Sequence, residues 1–267
     1  MQRIERVFRR LRAAGEKALI PFITAGDPDL ETSRRLALVM ARRGADILEL
    51  GIPFSDPLAD GPTIQAASQR ALQAGVTLPE VLKLAAQIRR ESDIPLVLMG
   101  YYNPILQHGL TETAREAADC GVDGFIIPDL PLEEAEPWRR AALAAGVAPI
   151  FLAAPTSGAE RIRRLGQLTR GFLYYVSITG ITGARRELPP ELVAALREVR
   201  TLVSCPVAVG FGISTPEQVA WLAPYVDGVV VGSAIVERVA RLRGEALLQE
   251  IGDFVAALKE PLRPSGS

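Results

Sequence analysis

Short apolar segments recur along the chain, and each contains glycine or proline. There are eight, at residues 18–26, 46–53, 94–102, 124–131, 148–155, 172–180, 206–213 and 228–236. Segments that are apolar at almost every position are typical of strands covered on both faces. Helical periodicity fills the intervals, as in "LETSRRLALVMARRGA" and "LPEVLKLAAQIRRES". Strands alternating with helices predict βαβ units and a parallel sheet.

Eight such units in 267 residues predict a (β/α)8 barrel, with a doubly wound open sheet as the less favoured alternative. No linker rich in proline, glycine or serine divides the chain, so we predict one domain over residues 1–260 and a flexible tail over 261–267. Before the first strand, Ile4, Val7, Phe8 and Leu11 have the spacing of an amphipathic helix. We expect this extra helix to cap the barrel and not to lie on a membrane.

Charge and composition exclude several classes of protein. Thirty basic and 31 acidic residues give a net charge of -1, which offers no field to attract nucleic acid or an anionic membrane. There is no secretory h-region and no apolar run of transmembrane length. Cys120 and Cys205 have neither metal-binding nor redox spacing. We therefore expect a cytoplasmic protein without a disulfide.

A glutamate stands inside an apolar run, in "LELGIPFSDPLADGPTIQ" at residues 48–65. Strand alternation places Glu49 on the face that points into the barrel, while Leu48 and Leu50 point toward the helices. Barrel sites lie at the C-terminal ends of the strands, and an apolar environment raises the pKa of a carboxyl toward the range useful for acid–base catalysis. A buried glutamate paired with arginine or with backbone donors is an equally good interpretation.

The loops at the same end of the predicted barrel carry further candidates. Asp56 and Asp60 follow the second strand, although each taken alone fits an ordinary turn or cap. Gly212, Gly232 and Ser233 follow the seventh and eighth strands, where barrels often bind phosphate through backbone N–H groups. The segment "ITGITGARRELPP" after the sixth strand predicts a mobile lid, with an ordinary connection as the alternative.

Other kinds of chemistry lack the residues they need. His108 is the single histidine, so neither a multi-histidine metal site nor a serine–histidine–aspartate triad is supported, and we predict no metal. The three lysines, Lys17, Lys83 and Lys259, do not follow a strand, so a Schiff base has no lysine to use. Carboxylate acid–base chemistry on a phosphorylated ligand remains.

With these residues in place, the chain closely resembles the tryptophan synthase α subunits over nearly its whole length. The stretch at 48–65 is the most specific match. It is supported by "PFITAGDP" (21–28), "IIPDLP" (126–131), "SITGITGAR" (177–185), "GFGIS" (210–214) and "GSAIV" (232–236).

The resemblance implies a carbon–carbon lyase of tryptophan biosynthesis, which splits indole-3-glycerol phosphate into indole and glyceraldehyde 3-phosphate by a retro-aldol reaction. Glu49 would be the acid/base, and Asp60 would accept a hydrogen bond from the indole N–H and stabilise the developing positive charge. The indole site would be lined by Phe22, Tyr101 (favoured over Tyr102), Ile126, Leu152, Tyr174 and Phe211. The phosphate would be held by Gly183, Gly212, Gly232 and Ser233, and Thr182 of the lid would contact Asp60.

The resemblance also implies an αββα complex in which the β subunit carries pyridoxal phosphate and receives indole through a tunnel. This chain itself would hold no cofactor. Its docking surface would comprise Pro53, Asp56, Asn103, Pro104 and Pro131. Two alternatives stay open: a stand-alone lyase that releases indole, and a non-catalytic regulatory barrel. Indole-glycerol-phosphate synthase fits less well, because it relies on a lysine that the strand ends lack.

Overall fold

A computed structural model describes residues 2–176, 188–210 and 212–264. Within these ranges one parallel sheet has nine strands: β1 Ala18–Thr24, β2 Leu48–Gly51, β3 Leu96–Met99, β4 Gly124–Ile126, β5 Ala148–Ile150, β6 Leu152–Ala153, β7 Leu173–Val176, β8 Val207–Gly210 and β9 Gly228–Val231. The same ranges contain twelve α-helices: α1 Gln2–Ala14, α2 Leu30–Arg42, α3 Pro62–Gln73, α4 Leu78–Glu91, α5 Tyr102–His108, α6 Leu110–Asp119, α7 Glu136–Ala145, α8 Ala159–Leu168, α9 Pro190–Leu202, α10 Pro216–Leu222, α11 Ser233–Arg241 and α12 Gly244–Lys259. Short 3-10 helices span Leu132–Glu134, Pro155–Ser157 and Glu260–Leu262.

The sheet closes on itself through the fifth predicted strand. The strand order is β5-β4-β3-β2-β1-β9-β8-β7-β6, so its two ends are β5 and β6, which are consecutive in the chain. Only Phe151 separates them, and its carbonyl accepts a hydrogen bond from the Tyr174 amide over 3.0 Å. The nine strands are thus the eight predicted runs with the fifth interrupted. The (β/α)8 barrel is confirmed, and the open sheet is wrong.

Strand alternation divides the core into two layers. Leu48 and Leu50 belong to the large cluster between the sheet and the helices, whereas Ile47 belongs to the cluster that fills the barrel interior with Ile20 and Val97. The side chains of both layers are almost completely buried, because a parallel sheet in a barrel is covered on each face. The inward face of β2 is therefore the one that the sequence predicted.

The first helix closes the barrel at the N-terminal ends of the strands. Ile4, Phe8 and Leu11 of α1 are buried in the interior cluster, and the Phe8 and Phe172 ring centroids are 5.8 Å apart. This confirms the capping helix. The membrane-surface alternative is wrong, since the apolar stripe that would enter a membrane is already covered.

Buried charged side chains form hydrogen bonds between neighbouring segments at this closed end. Asp46 accepts hydrogen bonds from the Leu19 amide over 3.0 Å and from Lys259 Nζ over 2.8 Å. Lys259 Nζ also donates to the Lys17 carbonyl over 2.9 Å. This lysine therefore serves the structure at the end opposite to the strand C-termini.

The packed domain extends beyond the predicted boundary at residue 260. Leu262 is only 1 % exposed, and its carbonyl accepts a hydrogen bond from the Lys17 amide over 2.9 Å. Apolar packing of this side chain orders the end of the chain at least that far, so a flexible tail beginning at 261 is wrong for Leu262. Residues 265–267 lie outside the described ranges. Among the helices described, none is long and apolar enough to cross a membrane.

Candidate active site

Glu49 is a buried carboxyl group, and one of its oxygens has no hydrogen-bond partner among the described residues. It lies on β2, in register with Phe22 on β1 and Val97 on β3, and is 1 % exposed. In the described part of the chain its Oε2 atom has no hydrogen-bond partner. Burial first, and then the negative charge of Asp60, raises the pKa of Glu49 to about 8. No arginine or backbone donor from the described ranges neutralises it, which removes the interpretation of Glu49 as a paired structural glutamate there.

Asp60 lies in the loop between β2 and α3, and it is held from two sides. Its carboxylate accepts a hydrogen bond from the Tyr101 hydroxyl over 3.1 Å, and its backbone carbonyl accepts one from Gln65 Nε2 over 2.8 Å. Burial raises the pKa of Asp60 to about 6, while the Tyr101 hydrogen bond opposes the rise. Near neutral pH, Glu49 therefore retains its proton while Asp60 is mostly ionised.

Both carboxyl groups line one cavity at the C-terminal ends of the strands, the position expected for a barrel site. Among the predicted site residues, eight line this cavity: Phe22, Glu49, Asp60, Leu152, Tyr174, Gly212, Gly232 and Ser233. Two grooves elsewhere are larger, at about 730 and 640 Å³ against about 220 Å³ here. The first is lined by ion-paired side chains on the outer faces of α2 and α12, and the second lies beside α1 at the closed end of the barrel. The chemistry, not the volume, identifies the site.

Two predicted site residues within the described ranges, Tyr101 and Ile126, do not line the cavity. Tyr101 lies behind Asp60, and the Tyr102 ring packs on the outer core, so the hydroxyl near the site belongs to Tyr101. Ile126 is fully buried in the barrel interior, and its register partner Met99 lines the cavity in its place. The predictions for Phe211, Thr182 and Gly183, together with the lid, lie outside the described residues.

Sequence reasoning missed several apolar residues of the cavity wall. They come from strand ends and from α3: Ile64, Met99, Pro128, Val176, Ile213 and Val230. A signal existed for Val176, which stands two residues after Tyr174 on the same strand face. For Ile64, only the packing of α3 over the cavity brings it into the site.

One side of the cavity is the start of a helix. α11 begins at Ser233 directly after β9, with Gly232 as its N-cap. The first N–H groups of a helix have no partner within the helix, and the helix dipole favours an anion there. On the facing loop Gly212 has φ of +71°, a conformation that glycine adopts without strain. This corner of the cavity is suited to an anionic group such as phosphate.

The predicted docking residues follow the C-terminal ends of the adjacent strands β2, β3 and β4. Asp56, Asn103 and Pro131 are exposed and Pro104 is half-buried, but Pro53 is buried because it continues directly from β2 into the core. Two large apolar side chains on the same face were missed: Leu58 is 94 % exposed and Leu106 is 48 % exposed. For Leu58, an apolar residue inside the polar loop after β2 was the available signal, whereas Leu106 lies on α5.

Fold and site together define a (β/α)8-barrel enzyme whose cavity holds two carboxyl groups of different acidity. The family model described as "Tryptophan synthase alpha chain" matches residues 8–260. The chain belongs to the tryptophan synthase alpha chain family. The predicted family, and with it a lyase of tryptophan biosynthesis, is confirmed.

Relatives and solved structures match most or all of the chain. The chain is 50% identical over 266 residues to the tryptophan synthase alpha chain of Geotalea uraniireducens, covering 100% of both chains. It is 50% identical to that of Geobacter sulfurreducens, covering 98% of this chain and 99% of the relative. Subunit alpha from Legionella pneumophila superposes with a TM-score of 0.90 at 39% identity, covering 97% of this chain and 98% of that one. A chain of the a2b2 complex from Pyrococcus furiosus superposes with a TM-score of 0.85 at 41% identity. The match covers 91% of this chain and 98% of that one.

Proposed function

We propose that this chain cleaves indole-3-glycerol phosphate to indole and glyceraldehyde 3-phosphate, with Glu49 as the acid/base and Asp60 as the group that stabilises charge on the indole ring. The observation that carries the proposal is the pair of carboxyl groups, one protonated and one ionised near neutral pH, that line one largely apolar cavity. Two carboxyl groups whose environments separate their pKa values are suited to distinct acid–base roles.

Glu49 transfers protons on both sides of the bond that breaks, to indole C3 and from the C3′ hydroxyl. With a pKa of about 8 it holds a proton near neutral pH and gives it to indole C3. The carboxylate formed then takes the proton of the C3′ hydroxyl as the bond between C3 and C3′ breaks. The electrons of that bond restore the indole ring, and the C3′ oxygen becomes the aldehyde oxygen. Glu49 ends protonated, as it began.

Asp60 acts on the indole nitrogen. Protonation at C3 places a positive charge on the ring that is centred at the nitrogen, and an ionised carboxylate that accepts the N–H hydrogen bond stabilises this charge. The pKa of about 6 keeps Asp60 ionised near neutral pH. Phe22, Leu152 and Tyr174 line the same cavity as the two carboxyl groups and offer an apolar surface to the ring.

The phosphate binds at the start of α11. Gly232 and Ser233 bring the helix N-terminus to the cavity wall, and Gly212 lies on the wall from the preceding loop. Gly183 as a further phosphate contact and Thr182 as a contact of Asp60 belong to the same proposal on the strength of the resemblance alone.

A tryptophan synthase β subunit is the proposed partner, in an αββα complex in which β carries the pyridoxal phosphate and this chain carries no cofactor. The support is the a2b2 assembly named for the Pyrococcus furiosus relative and the apolar side chains of Leu58 and Leu106 exposed beside the cavity mouth. Both flank the predicted docking residues Asp56 and Asn103. We propose a cytoplasmic location for the complex, in keeping with a chain whose two cysteines are free.

Indole release from indole-3-glycerol phosphate, measured with and without a β subunit, tests the proposal. We expect weak activity alone and a strong rise on adding β. High activity that β leaves unchanged would mean a stand-alone lyase, and no activity under either condition would favour a non-catalytic barrel.

Variants of the two carboxyl groups test the residue roles. We expect Glu49→Gln to reduce turnover by at least about 10²-fold, the lower range for acid–base catalysis, and Asp60→Asn to reduce it by about 10²–10³-fold. The matched control is Glu5→Gln, since Glu5 is exposed on α1 at the opposite end of the barrel. Near-normal turnover of Glu49→Gln would remove the acid/base assignment.

A further inference from the structure

Asp27 is a buried charged residue at the active end of the barrel that the proposed mechanism does not use. In the described ranges the buried charged side chains are Asp27, Asp46, Glu49, Asp123 and Lys259. Asp46, Asp123 and Lys259 lie at the closed end, where the aspartates accept hydrogen bonds from the starts of strands. Glu49 and Asp27 are at the C-terminal ends of the strands.

Asp27 forms a two-pronged ion pair with an arginine of α3. Arg70 Nε lies 2.7 Å from one carboxylate oxygen of Asp27, and a terminal guanidinium nitrogen lies 2.7 Å from the other. Asp27 is 2 % exposed and the Arg70 side chain 34 %. Two parallel hydrogen bonds fix both the distance and the orientation between the two side chains. A single hydrogen bond or apolar packing would leave their orientation free.

The loop that carries Asp27 is itself rigidly held. The Asp27 amide donates to the Thr24 carbonyl over 3.2 Å, and the Gly26 amide donates to Ser33 Oγ over 3.0 Å. Gly26 has φ of +86°, and a β-carbon there would come within 2.4 Å of the Val76 side chain. The loop can therefore serve as a fixed point for α3.

α3 connects this fixed point to the reacting groups. The helix begins at Pro62, two residues after Asp60, and Ile64 in its first turn lines the cavity. Its Gln65 side chain holds the Asp60 carbonyl over 2.8 Å. A movement of α3 along its axis would therefore move the Asp60 carboxylate relative to Glu49.

The same helix reaches the phosphate corner. Ile64 and Ala67 pack in one buried cluster with Phe22 and with Val236, which stands three residues after Ser233 on α11. Arg70 lies about 1.7 turns further along α3 than Ile64. Its pair with Asp27 fixes the end of the helix that lies away from the cavity.

We propose that Asp27 and Arg70 are positioning residues for the reaction: their ion pair sets the position of α3 and thereby holds Asp60 at its working distance from the substrate. The inference rests on the proposed roles of Glu49 and Asp60. It goes beyond a purely stabilising role: removing one partner of a buried ion pair lowers stability in either case, whereas a positioning pair also sets kcat in the protein that remains folded. Catalysis, in contrast, is sensitive to displacements of about 1 Å, which can cost about 10²-fold in rate.

The test compares kcat and KM for indole formation in three variants, Arg70→Met, Arg70→Lys and Asp27→Asn, each with a saturating β subunit and well below its melting temperature. The matched control is Arg161→Met, because Arg161 makes an equally two-pronged but exposed pair with Glu133 between other elements. We expect kcat of Arg70→Met and Asp27→Asn to fall about 10- to 100-fold with a smaller change in KM, and the control to stay within about twofold. Arg70→Lys keeps the positive charge but loses the two-pronged hydrogen bonding. Its kcat should therefore lie between that of Arg70→Met and that of the control.

A pH profile separates positioning from stability. In Arg70→Met the acid limb of kcat should move to higher pH, because a displaced Asp60 loses its hydrogen bond from Tyr101. Parental kcat and an unmoved acid limb in both Arg70→Met and Asp27→Asn would overturn the inference. If Arg70→Met does not fold, parental kcat and an unmoved acid limb in Arg70→Lys would overturn it. Failure of the proposed function would appear differently, as a parent chain that makes no indole.

Discussion

The hydroxyl group of Tyr101 donates a hydrogen bond to the Asp60 carboxylate over 3.1 Å and accepts one from the Ala59 amide over 3.0 Å. The tyrosine ring stacks on Phe54, with centroids 5.1 Å apart. One side chain therefore holds the backbone and the carboxylate of the loop after β2. Since the hydrogen bond favours the ionised form, Tyr101 opposes the rise that burial causes in the pKa of Asp60.

Replacing Tyr101 by phenylalanine should raise the pKa of Asp60 above its present value of about 6, because the burial remains and the stabilising hydrogen bond is lost. The proposed role of Asp60 requires the ionised form, so the acid limb of the kcat profile should move to higher pH. Tyr102→Phe is the matched control, since the Tyr102 ring packs on the outer core. An acid limb that Tyr101→Phe leaves in place would show that the hydrogen bond does not tune Asp60.

Glu49 should make the protein less stable as the pH rises. Its pKa is raised from 4.5 to about 8 in the folded chain, so between these values the folded protein holds a proton that the unfolded chain has lost. The free energy of unfolding therefore decreases from about pH 4.5 to about pH 8, by an amount on the order of a few kcal/mol. Glu49→Gln removes this dependence.

Thermal unfolding of the parent, Glu49→Gln and the exposed-site control Glu5→Gln between pH 5 and 8 measures the effect. The parent and the control should lose melting temperature over this range relative to Glu49→Gln. Parallel curves for all three would mean that the folded-state pKa of Glu49 is not raised.

Gly51 and Phe22 are packed too closely for any side chain at position 51. A β-carbon on Gly51 would lie 2.5 Å from Phe22 Cζ and 2.8 Å from Cε2. Gly51→Ala should therefore displace the Phe22 ring into the cavity, raise KM for indole-3-glycerol phosphate and cost about 1–3 kcal/mol in stability. The double variant Gly51→Ala/Phe22→Leu should recover part of the stability, because the smaller side chain makes room. Calorimetry and steady-state kinetics check both effects. A fully stable and active Gly51→Ala would contradict the close contact.

Leu58 should contribute to binding of the β subunit. Covering a leucine that is 94 % exposed in the separate chain is worth about 1.5–3 kcal/mol when the side chain becomes fully buried. Leu58→Ser should therefore raise the Kd for β by roughly tenfold or more, and Leu106→Ser by less, since Leu106 is already half-buried. Titration calorimetry with purified β gives the Kd values, and Ala194→Ser on the exposed face of α9 serves as the control. Unchanged affinity for β in both leucine variants would show that the β subunit binds to another face of the barrel.

Much of the architecture was readable along the chain because the signals are local. Continuous apolarity marked the strands, and the helical periodicity of Ile4, Phe8 and Leu11 marked the helix that closes the barrel. Alternation on β2 predicted that Glu49 points inward. The interruption of the fifth strand at Phe151 was not predicted, since an apolar run looks the same whether or not its pairing partner changes midway.

The sequence by itself determined which chemical groups are present, which strands carry them, and that Glu49 stands among apolar neighbours without a nearby lysine or histidine. Only the tertiary structure decided which groups meet. Tyr101 and Asp60 are 41 residues apart, and Asp27 and Arg70 are 43 apart. Periodicity and turn residues act over a few positions, whereas these contacts depend on which strand ends become neighbours when the sheet closes into a barrel. The acidity of the two carboxyl groups follows from that closure, because burial and the facing side chains set it.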